Sequence, residues 1–283
     1  MAVTTFIPTI WSARLLAHLD ASHVYANLLN RDYEGEIRGY GSTVKINQVG
    51  EITVKDYVRN GNLEDPEELS TEDQTLTIDQ SKYFNFQLDD VDKAQIRAAL
   101  MDAAMQRAAY ALSDVSDRFA ADLLAKGAGN KIGTTAAPIT LTKDNAYEQL
   151  VVMKNTLDKK NVPSAGRWVV VPPEFEGLML LDQRFVGTGG TRAEETLTNG
   201  AIARAAGFTI YKSNNTPVTS GKYSILAGYN GAATYAEQIV ETEAYRMEKR
   251  FADAVKGLHV YGAKVTRPET LVLLTASFTA SAS

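Results

Sequence analysis

The sequence predicts an α+β protein with unusually long elements, and three observations support this prediction. Residues 44–58 and 75–90 place apolar side chains at alternate positions, which is the pattern of strands with one apolar face. Residues 90–127 repeat apolar side chains at the spacing of a single helical face. From residue 128 onward, short helical patterns and short strand patterns follow one another.

The composition is that of a folded globular protein with an acidic balance. The chain has 283 residues, of which 45% are hydrophobic and 22% are charged, and its formal net charge is -5. DNA-binding proteins depend on clustered Lys and Arg, so we expect only weak, non-specific contact with DNA. The absence of Cys excludes disulfides, thiolate metal ligands and cysteine nucleophiles. We find no signal-peptide pattern and no apolar run of the ~20 residues that a membrane-spanning helix needs.

The first predicted element is an amphipathic helix over residues 11–30, which follows an extended N-terminal stretch. Its apolar residues recur at the three-to-four spacing of one helical face. They are Leu15, Leu16, Leu19, Val24, Leu28 and Leu29. The Gly-rich residues 39–42 then interrupt the chain.

Residues 44–89 are predicted to form one long hairpin with an acidic tip. The first strand alternates Val44, Ile46, Ile52, Val54 and Val58, and the second alternates Leu76, Ile78, Phe84, Phe86 and Leu88. Between the strands, residues 59–74 contain turn-forming residues, no Lys and a group of acidic residues. These acids are Glu64, Asp65, Glu67, Glu68, Glu72 and Asp73.

Residues 90–127 give the strongest helical pattern, rich in Ala and Leu, with Asp90 and Asp92 at the start and Lys126 near the end. A helix over most of this span would be about 50 Å long, about the diameter of a compact chain of this size. Leaving the apolar face of the hairpin in water would forfeit about 1.5–3 kcal/mol per side chain. We therefore expect an elongated body whose hairpin lies on a neighbouring copy, with folding back onto its own domain as the alternative.

The remainder of the chain is predicted to mix short helices and strands. Helices are expected at 144–160 and 174–185, and strands at 167–171, 208–212, 223–228, 240–251 and 257–265. The Ser- and Ala-rich residues 276–283 are expected to form a loose tail.

Several stretches that together cover most of the chain are similar to one known family. They are WSARLLAHLD (11–20), NRDYEGEIRGYGSTVKINQVGEITVKDY (30–57), KYFNFQLDDVDKAQIRAALMDAAMQRAAYAL (82–112), NVPSAGRWVVVPPEF (161–175), DQRFVG (182–187), GFTIYKSNN (207–215) and EAYRMEKRFADAVKGLHVYGAKVTRP (243–268). In these stretches, and in the order of its parts, the chain resembles tailed-bacteriophage major capsid proteins of the HK97-like fold, in particular those grouped with the P22 coat protein.

The resemblance implies a division of the chain into named parts. They are an N-arm (1–43), an extended E-loop (44–89), a peripheral or P-domain built from the long spine helix and returning strands (90–127 and 240–275), an axial or A-domain (128–239) and a C-terminal tail (276–283). The chain has no room for the large insertion domain of the P22 coat protein. No long helical segment precedes the N-arm, so we expect the scaffolding protein to be a separate chain.

The function that the resemblance implies is that of a major capsid protein. Copies of the chain would assemble as hexamers and pentamers into an icosahedral shell that encloses the double-stranded DNA genome of a phage. Assembly would take place in the host cytoplasm, and the product would be the head of the virion. The implied partners are further copies of the chain, a separate scaffolding protein, a portal and the packaged DNA.

No motif for catalysis, a cofactor or a metal is found. The GTGG sequence at 187–190 lacks the phosphate-loop pattern and is typical of a flexible turn, and the acidic residues 64–73 lack the spacing of a calcium loop. His18 and His23 lie five apart, off one helical face, and with His259 they are predicted to be surface or interface histidines. We therefore expect no enzyme activity, no cofactor and no metal.

The contacts between copies are expected to combine apolar side chains with charges. The apolar candidates are Ile52, Val54, Phe84 and Phe86, and the acidic candidates are Glu64, Asp65, Glu67 and Glu68. Grouped carboxylates repel one another unless positive charge is near, so the tip needs a basic site on the neighbour. The first candidates for that site are Arg246, Lys249 and Arg250, and the second are Arg97 and Arg107 on the long helix.

Three alternatives to a phage shell remain at this point. A bacterial nanocompartment that encloses cargo has the same fold, but the resemblance to the P22 coat protein argues against it. An α+β enzyme is disfavoured because no set of nucleophile or metal-binding residues is found. A DNA-binding protein is disfavoured by the acidic balance of the chain.

Overall fold

The computed structural model describes residues 23–33, 40–49, 54, 56, 71–89, 98–182, 201–247 and 252–278. Within these ranges there are three α-helices: α1 (Ala98–Gly127), α2 (Ala146–Asp158) and α3 (Pro173–Leu181). The strands are β1 (Thr43–Val49), β2 (Thr71–Thr77), β3 (Gln80–Asp89), β4 (Asn130–Ile132), β5 (Ile139–Leu141), β6 (Arg167–Val171), β7 (Ala201–Ala205), β8 (Phe208–Lys212), β9 (Val218–Thr219), β10 (Lys222–Tyr229), β11 (Ala233–Arg246), β12 (Ala252–Val265) and β13 (Val272–Phe278). Short 3-10 turns lie at Ala26–Leu28, Asn230–Ala232 and Pro268–Thr270.

The long sheet consists of β11, β12 and β3, paired antiparallel in that order. Its inner face packs against α1, because Tyr235 and Tyr261 share a buried cluster with Leu124, while Val255 shares another with Leu112. Since successive side chains of a strand point to opposite faces, Ala236 and Val260 lie on the outer face. The long sheet and α1 thus form one layered body.

The second body is a mixed sheet in which the order β4-β13-β10-β6-β8-β7 is joined by β5 and β9 at its margins. All five residues of β6 are buried, which explains the apolar run 168–171 that follows Arg167. Trp168 and Val170 face the cluster that includes α1, whereas Val169 and Val171 pack with α2 and α3. Helices therefore cover the mixed sheet on both faces.

Most of the predicted elements between 144 and 265 are confirmed. Helices α2 and α3 and strands β6, β8 and β10 lie within two or three residues of their predicted bounds, except that α3 ends at Leu181. Helix α1 has 30 residues and is about 45 Å long. No helix in the described part of the chain is long and apolar enough to cross a membrane.

The predicted N-terminal helix is wrong for the residues that the structure describes. Residues 11–22 lie outside the described residues, and from His23 the chain makes bends and the 3-10 turn Ala26–Leu28 instead of an α-helix. The amides of residues 24–26 donate to the carboxylate of Asp117 on α1. This tertiary contact replaces the bonds of a regular helix, so the apolar spacing of the segment misled the prediction.

The single hairpin predicted over 44–89 is also corrected. Strand β1 ends at Val49, and β2 pairs with it in the register Thr43↔Thr77 to Val49↔Thr71. The chain leaves β2 after Thr77, and β3 pairs with β12 of the long sheet. The hairpin proper is therefore β1–β2, while the second half of the predicted strand 75–90 belongs to the body.

Three strands near the C-terminus differ from the prediction, and one of them, β12, begins at Ala252 instead of residue 257. Strand β11 begins at Ala233, before the predicted start at residue 240, and β13 extends to Phe278, into the predicted loose tail 276–283. Strand β13 pairs with β10 in the mixed sheet, although the prediction groups residues 240–275 with the spine helix. The reason is that Val272, Leu274 and Ala276 are buried against the core of the mixed sheet.

Candidate assembly interface and a buried polar cluster

The base of the β1–β2 hairpin is fixed to the outer face of the long sheet. Val44, Ile46, Leu76 and Ile78 form one buried cluster with Ala236 and Val260. A Cβ at Gly262 would overlap the carbonyl oxygen of Thr77 and lie 3.0 Å from the Cα of Ile78. Only glycine lets the chain pass this close to β12. The position of the hairpin base on the long sheet, and its distance from β12, are therefore fixed.

Phe84 and Phe86 have partners within their own chain. Their rings stack at 6.0 Å between centroids, and both are half-buried against a cluster that contains Met105, Leu112 and Val255. The argument that these side chains require a neighbouring copy to leave water is therefore corrected, because α1 covers them. Their predicted role between copies is not tested by this packing.

The outer face of the long sheet is open beyond the hairpin base. Tyr83, Asn85, Lys256, Gly257 and Leu258 line a cavity of about 220 Å³ there. Tyr83 is 76% exposed. Because aromatic side chains with polar ends are enriched at protein interfaces, this open face is a candidate contact surface.

Charged side chains border that open face. The ammonium group of Lys256 lies 2.8 Å from the carboxylate of Glu243 and 5.1 Å from the ring centroid of Tyr245. The amide of Asn85 donates to the hydroxyl of Tyr245 at 3.3 Å. The face therefore offers an ordered, mainly polar rim around an apolar floor.

The structure describes only part of the predicted contact set. Val54 is 94% exposed, Arg107 is exposed on α1, and Arg246 is exposed at the end of β11, opposite Asp253 in the register. The candidates outside the described residues are Ile52, Glu64, Asp65, Glu67, Glu68, Arg97, Lys249 and Arg250. The GTGG sequence at 187–190 and His18 lie outside them too. The pairing of acids with bases therefore stays a prediction.

Two acids that were assigned to the tip lie in a strand instead. Glu72 and Asp73 belong to β2, where they are in register with Gln48 and Asn47 of β1. The alternating pattern predicts a strand that begins at residue 75, but the paired strand β2 begins at Thr71. The predicted tip is therefore shorter by these residues.

A buried polar cluster lies on the inner face of the long sheet, and here the prediction of surface histidines is wrong for two of them. His23 is 5% and His259 is 0% exposed. Both face the carboxylate of Glu237: Nε2 of His259 lies 3.0 Å from Oε2, and Nδ1 of His23 lies 3.7 Å from Oε1. Arg31 pairs with Oε1, and the hydroxyl of Tyr235 donates to Oε2 at 2.8 Å.

The charge state of this cluster follows from its contacts. Burial alone would raise the pKa of Glu237, but the hydrogen bond from His259 and the charges of His23 and Arg31 outweigh it and lower the pKa to about 2. A carboxylate only accepts hydrogen bonds, so Nε2 of His259 must carry a proton. The cluster is thus an ionised carboxylate held by donors from three different segments.

A second buried carboxylate lies beside this cluster on α1. Oδ1 of Asp117 accepts the backbone N–H groups of Val24, Tyr25 and Ala26 at 3.1, 2.7 and 3.2 Å. The neighbouring Ser116 hydroxyl lies 2.7 Å from Nε2 of His23. Burial outweighs the three N–H bonds and raises the pKa of Asp117 to about 6. Two carboxylates therefore hold the segment 23–33 against α1 and the long sheet.

Sequence reasoning missed this polar cluster, although a signal was present. Glu237 shares its parity with Tyr235 and Ile239, and His259 shares its parity with Val255 and Tyr261, so both polar residues fall on an apolar face. A polar residue at a core position usually has a buried partner. Among the described residues, no group of His, Asp or Glu is arranged to hold a metal ion.

The chain is similar to phage capsid proteins in both sequence and structure. The family model described as phage capsid protein matches residues 71–274. A chain in a solved structure of Mycobacterium phage Che8 is 32% identical, with a TM-score of 0.68 and coverage of 89% of this chain and 90% of that one. No curated protein sequence matches the chain.

Two further solved structures show the same fold at lower identity. The capsid structure of cyanophage P-SCSP1u is similar at 16% identity and a TM-score of 0.70, over 91% of this chain and 89% of that one. The crystal structure of a virus-like particle from Pyrococcus furiosus is similar at 12% identity and a TM-score of 0.55, over 94% and 98%. The similarity therefore includes nearly every element described above.

Proposed function

The chain belongs to the phage capsid protein family and is a major capsid protein with the HK97-like fold, and from this premise we propose how its copies assemble. They form hexamers and pentamers that close into an icosahedral shell around double-stranded DNA. The observation that carries the proposal is the 32% identity to the Che8 chain along about nine tenths of both chains.

The parts of the chain take roles that follow from their packing. The hairpin is the E-loop, and α1 with the long sheet makes the P-domain. The mixed sheet with α2 and α3 makes the A-domain, and β13 belongs to it by its pairing with β10. The N-arm is residues 1–43, of which 23–33 lie against α1 and β11. These assignments are supported by the sheet to which each strand belongs.

A cargo-enclosing nanocompartment is the second candidate, since the particle from Pyrococcus furiosus has the same fold. At 12% identity, that similarity extends to the fold alone. The family match and the identity to the Che8 chain both favour the phage shell. A separate scaffolding protein, a portal and weakly held DNA are the partners that we propose with it, and assembly takes place in the host cytoplasm.

Electron microscopy of the expressed chain tests the assembly. We expect closed shells of uniform diameter when the chain is produced in bacteria, alone or with the scaffolding protein of the same phage. Shells that package the phage genome when the other head proteins are supplied would support the phage assignment. Monodisperse single chains under both conditions would contradict the proposed assembly, and shells that enclose a folded protein cargo would favour the nanocompartment.

We further propose that the acidic tip of the E-loop docks on basic residues of a neighbouring copy. The charge balance supports this contact, because Glu64, Asp65, Glu67 and Glu68 repel one another in isolation. Exposed ion pairs contribute only about 0.2–1 kcal/mol each, so they set the register of the contact more than its affinity. Val54, which is 94% exposed, is the apolar candidate for the same contact.

A charge-swap experiment separates this docking from unspecific attraction. We expect Arg250→Glu to reduce the yield of closed shells and Glu67→Lys to restore part of it in the double variant. Lys131→Glu, on an exposed residue of β4, is the matched control for charge reversal and should leave assembly intact. If Arg246, Lys249 and Arg250 can all be reversed without loss of shells, the tip docks elsewhere.

A further inference from the structure

The segment 23–33 is attached to the body by the buried side chains of Tyr25, Leu28 and Leu29, by a backbone bridge at Asn30 and by two buried carboxylates. Its backbone gives three N–H groups to Asp117, and its side chains His23 and Arg31 face Glu237. Both carboxylates belong to the body, one on α1 and one on β11. When the segment lifts from the body, Asp117 loses its three N–H donors, Glu237 loses His23 and Arg31, and both carboxylates gain water. Attachment of the segment and protonation of these carboxylates are therefore linked equilibria.

The groups around Asp117 determine the direction of this linkage. From the segment it faces backbone N–H groups and the phenol of Tyr25, which is buried and donates to Thr216 at 3.4 Å. Arg118, the next residue on α1, points to Asp114 at 2.8 Å and to Asn215. No positive side chain of the described residues pairs with Asp117. All three N–H bonds end on Oδ1 and, with Asn215, favour the charged carboxylate, whereas Oδ2 is buried without a hydrogen-bond partner among the described residues. Burial by the segment outweighs these bonds and favours the protonated carboxyl.

The groups around Glu237 act in a different pH range. It faces Arg31 and His23 from the segment, His259 from β12 and the phenol of Tyr235 from its own strand. These donors hold it ionised well into the acid range, so its titration begins only below about pH 4.5. Between pH 4.5 and neutral pH, Glu237 keeps its charge and gives a constant contribution.

We propose that the attachment of the segment 23–33 is proton-linked through Asp117, so that it is firmest in mildly acidic solution and weakens toward neutral pH. Asp117 carries a folded-state pKa of about 6 against an ordinary value of 3.8. A raised pKa contributes stability that is complete below about pH 3.8 and is lost as the pH rises through about 6. Residues 1–22 precede this segment directly in the sequence. The protonation state of Asp117 therefore also affects how strongly the start of the chain is attached to the body.

His23 is the second ionisable side chain of the segment that lies close to α1, and its role can be separated. The hydroxyl of Ser116 donates to the carbonyl oxygen of Ser113 at 3.1 Å, so its oxygen accepts Nε2–H of His23. Nδ1 then faces the Glu237 carboxylate, where a proton would be stabilised. A variant that keeps a polar side chain but cannot gain a proton, His23→Gln, distinguishes its contribution from that of Asp117.

Hydrogen exchange on the full-length dissociated chain tests the proposal. Peptides spanning 23–33 are followed from pH 4.5 to 7.5, corrected for the intrinsic pH dependence of exchange. We expect the opening equilibrium of the wild-type segment to rise about 10–30-fold over this range and to level off above pH 6.5. Asp117→Asn keeps the acceptor oxygen and should abolish most of this dependence. Asp114→Asn, on the same helix, and His23→Gln should retain it.

Three outcomes overturn the proposal. They are a pH-independent wild-type segment, an Asp117→Asn variant with the wild-type slope, and a slope that only His23→Gln removes. If Asp117→Asn does not fold, the carboxyl carbons of labelled Asp residues are titrated in the wild type by nuclear magnetic resonance. One carboxyl titrating near pH 6 supports the proposal, and titration of every Asp below pH 5 contradicts it.

Discussion

Replacing Gly262 by alanine should destabilise the chain by about 1–3 kcal/mol and abolish the formation of closed shells. The added Cβ would overlap the carbonyl oxygen of Thr77 and crowd the Cα of Ile78. Both are backbone atoms, so the base of the hairpin must shift as a unit rather than a single side chain turning aside. A shift at the base changes the position of the whole hairpin relative to the body. Urea unfolding measures the first effect and electron microscopy the second.

Gly177→Ala is the matched control for this substitution. Gly177 lies in helix α3, and a Cβ there would have no atom within 4 Å. Alanine is the better helix former, so we expect unchanged shells and a gain of up to about 1 kcal/mol. Normal assembly of Gly262→Ala with wild-type stability would mean that the hairpin base adapts at no cost and that its fixed position is unimportant.

Replacing Glu237 by glutamine should lower the free energy of unfolding at pH 7 by about 3 kcal/mol. The substitution removes the carboxylate that pairs with the guanidinium of Arg31 and weakens the bonds from His259 and Tyr235. Removing one member of a buried ion pair is strongly destabilising because the remaining charge is left in an environment of low polarity. Urea unfolding of the dissociated chain at pH 7 is the measurement.

The pH dependence of the wild type checks the same residue independently. The pKa of Glu237 is lowered to about 2 from 4.5, so its contribution is complete above about pH 4.5 and is lost as the pH falls toward 2. The difference corresponds to about 3 kcal/mol. The glutamine variant should lose this part of the acid sensitivity. As a control, Glu243→Gln removes an exposed pair with Lys256 and should change stability by at most about 1 kcal/mol. Equal effects of the two variants would contradict the buried role.

Local patterns in the sequence predicted the elements that can be recognised from their own residues, without knowing which elements they pack against. Strand β6 is buried on both faces, so its run of apolar residues identifies it without knowledge of its neighbours. Helix α1 carries its apolar stripe and strong helix formers over its whole length. The family resemblance added the order of the parts and the function, which no pattern of spacing contains.

The same patterns could not predict which strand pairs with which. Leu76, Ile78, Phe84 and Phe86 share one parity, so they were assigned to one face of one hairpin. In the structure the first two face the hairpin cluster and the last two face α1, because the chain passes from β2 into the long sheet at Ile78 and Asp79. Period-two alternation indicates which face of a strand is buried, but it does not indicate which other element covers that face.

The polar cluster was beyond local reasoning for a different reason. His23 and Glu237 are far apart along the chain and meet only because the segment 23–33 crosses α1 and runs beside β11. The three N–H bonds to Asp117 also explain why a segment with helical spacing forms a 3-10 turn. The carboxylate of Asp117 accepts N–H groups that would otherwise belong to a regular helix, so helical spacing alone predicted the wrong element.

The register of the hairpin base has a consequence for how this family can diversify. The pair Val49↔Thr71 holds both ends of the stretch 50–70 at one separation. Lengthening such a stretch adds only about 0.6 kcal/mol of loop-closure free energy per doubling, and no strand of the body must change its register. Insertions or deletions there can therefore alter the length of the hairpin and, in the contact proposed above, the spacing between copies, while the body remains the same. The length of the hairpin can therefore vary among relatives without a change in the fold of the body.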